Sequence, residues 1–194
     1  VKPGRRPAIF LDRDGTINED VGYLTDVAKL AIYPYAPDAI RLLNRAGFAV
    51  VVVTNQGGVA RGRMTLAFVE ATHRRLDATL RSAGAFVDQW YYCPHHPEGV
   101  VPSLSGPCGC RKPGTDLPRA AASDLDLELS RSWVVGDHWR DVQMGHAVGA
   151  RAILLRTGHG RDQEALRPAG QRVEAICDNL MAAVGTILAV SRKP

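Results

Sequence analysis

Short apolar runs alternate along the chain with stretches whose apolar residues recur at helical spacing. Residues 8–11 form a continuous apolar run that stops at Asp12, the pattern of a strand buried on both faces. Across residues 37–46, Ala39, Ile40, Leu42 and Leu43 share one helical face, and Gly47 ends the pattern. Residues 48–53 are rich in β-branched side chains and fit a central parallel strand. Thr65 has the chemistry of a helix cap, and the helix it opens runs to about Ser82, with Gly84 beyond its end. Residues 87–92, 133–135, 151–155 and 174–176 read as further strands, and residues 116–125, 141–148 and 179–190 as helices.

This β-α-β order predicts an α/β fold, a doubly wound parallel sheet with helices on both faces. Such sheets bind ligands at the carboxyl ends of their strands. No internal repeat and no linker divides the 194 residues, so residues 1–194 are expected to be one domain. Residues 94–118 form a Pro/Gly/Ser-rich loop, and loops of that length usually carry function or are disordered.

Composition changes this picture little. Apolar residues are 45% and charged residues 23%, the globular range, which excludes a disordered or fibrous chain. The longest apolar run, residues 48–53, is far too short to span a bilayer, and the basic residues 1–6 are not followed by a leader-like apolar segment. A cytoplasmic location with no membrane partner is expected. The net charge of +4 comes with no basic, aromatic-interleaved stripe, so no nucleic-acid partner is expected. A monomer is expected, with the basic tail Arg192-Lys193 solvated.

Candidate chemistry begins where the first strand ends, at Asp12-Arg13-Asp14-Gly15-Thr16. Two acids held together repel unless a cation joins them, and Mg²⁺ is a hard ion suited to such a pair. The segment resembles the first motif, D-x-D-G-T, of the haloacid dehalogenase-like (HAD) phosphohydrolases. The resemblance implies that Asp12 is the nucleophile, forming an aspartyl-phosphate, and that Asp14 is the general acid and then the base.

Later strand ends carry the remaining motifs in order. At Thr54-Asn55-Gln56-Gly57 the resemblance implies that Thr54 is the hydroxyl that holds the phosphoryl group, with Asn55 and Gln56 as substrate-binding candidates. Arg111-Lys112-Pro113 offers Lys112 as the fixed cation where negative charge gathers, and Arg111 as a fork for a second anionic group. Val134-Val135-Gly136-Asp137-His138-Trp139-Arg140-Asp141 matches G-D-x-x-x-D. There the resemblance implies that Asp137 completes the Mg²⁺ site with Asp12 and the Asp14 carbonyl, while Asp141 orders the loop or stands just behind the metal ligands. It further implies a Rossmann-like HAD fold.

The cysteines divide by position. Cys93-Pro94-His95-His96 and Cys108-Gly109-Cys110 flank the long loop, and their C-x-H and C-x-C pairs read as a closed structural Zn²⁺ site of Cys93, His95, Cys108 and Cys110. Its role would be to stabilise the loop and hold Arg111-Lys112. His96 is an alternative ligand to His95, and a disulfide is the alternative to a metal. Cys177 reads as a buried small apolar residue.

This zinc loop, with Phe10–Asn18 and Val53–Gly62, is similar to the heptose-bisphosphate phosphatases within the superfamily, and next to the histidinol-phosphate phosphatases. The resemblance implies a phosphorylated sugar substrate, release of the 7-phosphate of a heptose 1,7-bisphosphate, and no large cap domain. Residues 18–35 would form a short flap, with Asp20, Gly22 and Tyr23 on the sugar. Two positions depart from the pattern: Gly57 stands where a serine is usual, and His138, a substrate-binding candidate, where a lysine is usual. His73, His146 and His159 read as exposed, Trp133 as core and Trp139 as a wall of the pocket.

Overall fold

The computed structural model describes residues 5–191. The start of the basic N-terminal stretch (residues 1–4) and the basic tail at Arg192-Lys193 lie outside them. The chain runs β1 (Ala8–Leu11), α1 (Ala36–Arg45), β2 (Ala49–Asn55), α2 (Leu66–Ser82), β3 (Gln89–Cys93), α3 (Asp116–Asp124), β4 (Trp133–Gly136), α4 (Trp139–Ala147), β5 (Arg151–Leu155), α5 (Gly160–Ala165), β6 (Ala175–Cys177) and α6 (Leu180–Ser191). All strand pairs are parallel and the order is β3-β2-β1-β4-β5-β6.

The continuous apolar strands follow from burial on both faces. Ile9, Leu11, Val50 and Val52 point to one side and pack with α1, α2 and α6. Their neighbours Ala8, Phe10, Val51 and Val53 point to the other and pack with Ala121 of α3 and Met144 of α4. Burying an aliphatic or aromatic side chain of this size contributes about 1.5–3 kcal/mol. At the N-terminus of α2, Thr65 Oγ1 accepts from the Phe68 N–H at 3.1 Å.

β1 pairs with β2 on one side and β4 on the other, and the chain winds outward from it in both directions. The carboxyl ends of β1, β2 and β4 therefore meet at the switch point of the sheet, where a crevice opens. The two longest excursions between regular elements are residues 12–35 and 94–115. Neither holds a cap domain. No helix among the described residues is long and apolar enough to cross a membrane.

Several elements differ from the sequence expectation. α4 starts two residues early, at Trp139, because His138 caps it: the His138 N–H donates to the Asp141 carboxylate and Nδ1 accepts from the Arg140 N–H. α5 was not predicted, since Gly160–Ala165 is short and polar and has no apolar period. His73 is not exposed but buried, because it lies on the face of α2 that packs against β3. Trp133 is core. Trp139 is buried against Val142, Ala152 and Leu154 instead of shaping the crevice, and its Nε1 donates to the Gln163 carbonyl. His146 and His159 are exposed, as read.

Candidate active site

Asp12 is the first residue after β1, and its N–H continues the ladder by donating to the Val135 carbonyl at 3.0 Å. Asp137 is the first residue after β4, and Asp141 lies one helical turn further, inside α4. The carboxylate oxygens of Asp12, Asp137 and Asp141 all lie within 4.8 Å of one another. Lys112 reaches the same point from the long loop. Its Nζ is 2.8 Å from Asp12 Oδ1 and 2.7 Å from Asp141 Oδ1, and it donates to the Val53 carbonyl at 2.8 Å. Asn55 stitches that loop to β2: its Oδ1 accepts from the Lys112 N–H and its Nδ2 donates to the Lys112 carbonyl.

One ammonium cannot balance three carboxylates, of which Asp137 and Asp141 are buried and Asp12 is mostly so. Burial first, and then the charges of Asp12 and Asp141, push Asp137 up to about 8. Burial likewise raises Asp12, against the pull of Lys112. Such a set suits a hard divalent cation with oxygen ligands. The surrounding backbone leaves room for little else. Gly15 and Gly158 both have positive φ, and a Cβ on either would land on Asp137 Oδ2. The His159 N–H donates to that oxygen at 2.7 Å.

Asp14 lies beside this cluster and is braced from behind. Its Oδ1 accepts from Arg13 and Asn18, and its Oδ2 from Arg13 and from Gln56 Nε2. Burial alone would raise its pKa, yet the Arg13 charge and these hydrogen bonds hold it below the ordinary carboxylate value. Gln56 Nε2 also donates to Thr54 Oγ1, so one amide orients both groups.

These side chains floor a cleft of about 290 Å³. Asp12, Asp14, Thr54, Asn55, Arg111 and Asp137 line it, with Asp20, Gly22 and Tyr23 coming from the flap. Gln56 and His138 are not on its wall. Gln56 is buried behind Thr54, and His138 is occupied in capping α4, its pKa pulled down to about 4 by burial and then by Arg140. Three cleft residues escaped the sequence reading: Arg140, His159 and His96. Arg140 lies within the G-D-x-x-x-D segment, so its position was a usable signal. His159 pairs with Asp20 across the cleft at 3.1 Å.

Burial and the nearby charge of Arg140 lower the Arg111 pKa. Two guanidiniums thus converge on the cleft, and among the described residues neither pairs with a carboxylate. Gly57 accounts for the space Arg111 occupies: a Cβ there would meet Arg111 Nη1 at 3.0 Å.

Next to Arg111, the long loop closes on a second cluster, of Cys93, His95, Cys108 and Cys110. Cys93 and Cys108 Sγ are 3.6 Å apart, Cys108 and Cys110 Sγ 3.4 Å, and Cys110 Sγ is 3.3 Å from His95 Nδ1. Tetrahedral bonds of about 2.3 Å imply donor separations of about 3.8 Å; the donors here sit closer, down to 2.9 Å between Cys93 and Cys110 Sγ, so four ligands could close on one ion with a small outward shift. His96 is turned elsewhere, its Nδ1 accepting from the Glu98 N–H. All four cysteines, Cys177 included, are free thiols.

Residues 109–183 match the HAD-hydrolase-like family. Over 174 residues, 89% of this chain and 91% of the relative, the chain is 41% identical to a D-glycero-beta-D-manno-heptose-1,7-bisphosphate 7-phosphatase of Escherichia coli (strain K12). It is 42% identical over 184 residues to a D-glycero-D-manno-heptose-1,7-bisphosphate 7-phosphatase of Thermosynechococcus vestitus, covering 92% and 94%. The fold superposes with a TM-score of 0.82 on a D,D-heptose 1,7-bisphosphate phosphatase from B. bronchiseptica complexed with magnesium and phosphate. That structure is 33% identical, with 95% and 99% of the two chains covered.

Proposed function

The chain belongs to the heptose-1,7-bisphosphate 7-phosphatase family of HAD-like phosphatases, and from that premise we propose that it hydrolyses the 7-phosphate of D-glycero-D-manno-heptose 1,7-bisphosphate to leave heptose 1-phosphate. The observation that carries this reading is the convergence on one cleft floor of Asp12, Asp137 and Asp141 around Lys112, with Asp14 and Thr54 beside them. The paired guanidiniums of Arg111 and Arg140 favour a substrate with a second anionic group.

Asp12, Asp137 and the Asp14 carbonyl hold Mg²⁺ in this reading. The bound ion supplies positive charge where the phosphoryl oxygens gather. Asp12 attacks phosphorus, and its oxygen–phosphorus bond forms as the bond to the sugar oxygen breaks. Lys112 is already fixed beside the attacking carboxylate, so its charge needs no rearrangement during the reaction. Thr54 donates to the phosphoryl group once Gln56 has oriented its hydroxyl. Asp14 gives a proton to the departing sugar oxygen and afterwards takes one from water. At rest it is ionised. The negative charge of an arriving phosphoryl group raises its proton affinity, so the proton is loaded with the substrate. Asn55, Arg111 and the flap residues Asp20, Gly22 and Tyr23 orient the rest of the sugar.

Cys93, His95, Cys108 and Cys110 offer the soft donor set that would hold a structural Zn²⁺, and with it bound the four residues would tie down the loop that presents Arg111 and Lys112. Cysteines gathered as metal donors without disulfides fit a reducing compartment, the cytoplasm.

Phosphate release with Mg²⁺ from heptose 1,7-bisphosphate and from histidinol phosphate tests the assignment. Turnover of the first is expected, and turnover of the second alone overturns the substrate. Asp12→Asn is expected to abolish turnover, and full activity in that variant overturns the mechanism.

A further inference from the structure

Arg13 is 2% exposed and takes no part in the cleft wall. Its Nε and Nη2 donate to Asp14, and Nη2 also donates to Gln56 Oε1 at 3.2 Å. The remaining Nη1 faces His73 Nε2 at 3.3 Å. A buried guanidinium needs acceptors for its N–H groups, and leaving one unmet costs the full desolvation of that donor. His73, on α2, is the acceptor.

The ring of His73 is itself fixed on two sides. It stacks on Trp90 with centroids 4.9 Å apart and planes at 24°, and meets Tyr92 edge-on at 5.5 Å. Only an unprotonated Nε2 can accept from Arg13, which places the ring proton on Nδ1. Burial, and next the Arg13 charge, hold the His73 pKa to about 3, so the ring is neutral at physiological pH. Aromatic packing alone would be served by a phenyl ring. The nitrogen is what a phenylalanine would lack.

We propose that His73 is a positioning residue for the acid–base carboxylate: it fixes the Arg13 guanidinium, and Arg13 aims Asp14 at the leaving oxygen. This rests on the assignment of Asp14 as proton donor. A sugar alkoxide needs that proton as its bond to phosphorus breaks, whereas p-nitrophenolate leaves without one. A misaimed Asp14 therefore slows the sugar substrate and spares the aryl substrate in the phosphorylation of Asp12.

The test compares His73→Phe, which keeps the stacking and loses the acceptor, with His73→Gln, whose Oε1 restores it. Steady-state kinetics are read on heptose 1,7-bisphosphate, and the burst of p-nitrophenolate on p-nitrophenyl phosphate. His73→Phe is expected to lower kcat on the sugar about tenfold, with KM and the burst rate within about twofold of wild type. His73→Gln is expected to recover most of the loss. Equal losses on both substrates, no loss, or no recovery by His73→Gln overturn the proposal. Should His73→Phe melt below the assay temperature, His73→Leu carries the same expectation. Asp14→Asn is measured alongside. If it spares the sugar substrate, the assignment of Asp14 falls and this proposal with it; if it is selectively slow on the sugar while His73→Phe is not, only the role of His73 falls.

Discussion

Lys112 is the clearest place to perturb the site, because one buried charge faces two carboxylates. Its side chain is 1% exposed, between Asp12 and Asp141 at 2.8 and 2.7 Å. Burial works against its charge, yet the two carboxylates hold its pKa above the ordinary lysine value. Lys112→Met removes the charge and keeps most of the volume. Deleting one partner of a buried ion pair costs about 3–5 kcal/mol. For a chain of this length each kcal/mol moves Tm by about 2–4 °C, so a fall of roughly 10 °C is expected. Loss of a fixed cation at the reacting oxygens should also lower kcat by about 10²–10³-fold. Thermal unfolding followed by circular dichroism, in chelator and in Mg²⁺, separates the two effects. The fall in Tm should be larger in chelator, since the metal supplies counter-charge to the same carboxylates. A metal-free Tm within about 2 °C of wild type, with kcat within about threefold, would refute the reasoning.

Two further outcomes follow from the two candidate metal clusters. In the metal-free protein Asp137 holds a proton up to about pH 8, whereas an ordinary aspartate loses it near 3.8. The folded state then binds more protons than the unfolded one between those values, so stability should decline as pH rises through that window. Mg²⁺ should flatten the decline; urea midpoints that rise with pH in chelator would contradict the burial of Asp137 beside two other acids. Cys110→Ser removes one donor of the sulfur cluster, and should abolish bound zinc measured by elemental analysis and lower kcat/KM about tenfold through Arg111 and Lys112. Full activity without zinc would show that the loop holds its shape unaided.

The centre of the sheet was legible because β1, β2 and β4 are buried on both faces, which leaves runs such as residues 8–11 with no polar interruption. The acids were legible because they follow the strands directly, where a parallel sheet opens its crevice. What lay beyond one strand end was less so. Gln56 and Thr54 are close in sequence, but the turn after β2 sends the Gln56 side chain behind the cleft. His73 has polar neighbours on α2, His73-Arg74-Arg75, and its burial depends on Trp90 and Tyr92 of a strand that sequence spacing cannot place against it. Trp139 was misread for a related reason: α4 starts at Trp139, and the first turn rotates it inward and engages His138 in its cap.

The two candidate metal sites also differ in when the growing chain can make them. Cys93 and Cys110 are 17 positions apart, so the sulfur cluster needs only one local loop to close. The carboxylate cluster needs β1 and β4 side by side, and the contact that seals its rim, Thr157 Oγ1 to the Gly15 carbonyl, joins residues 142 positions apart. The entropy of closing the longer loop exceeds that of the shorter by about 2 kcal/mol. The thiol cluster can therefore assemble while the ribosome is still extending the chain, whereas the reaction centre waits until β4, α4 and the turn at Thr157 have followed it.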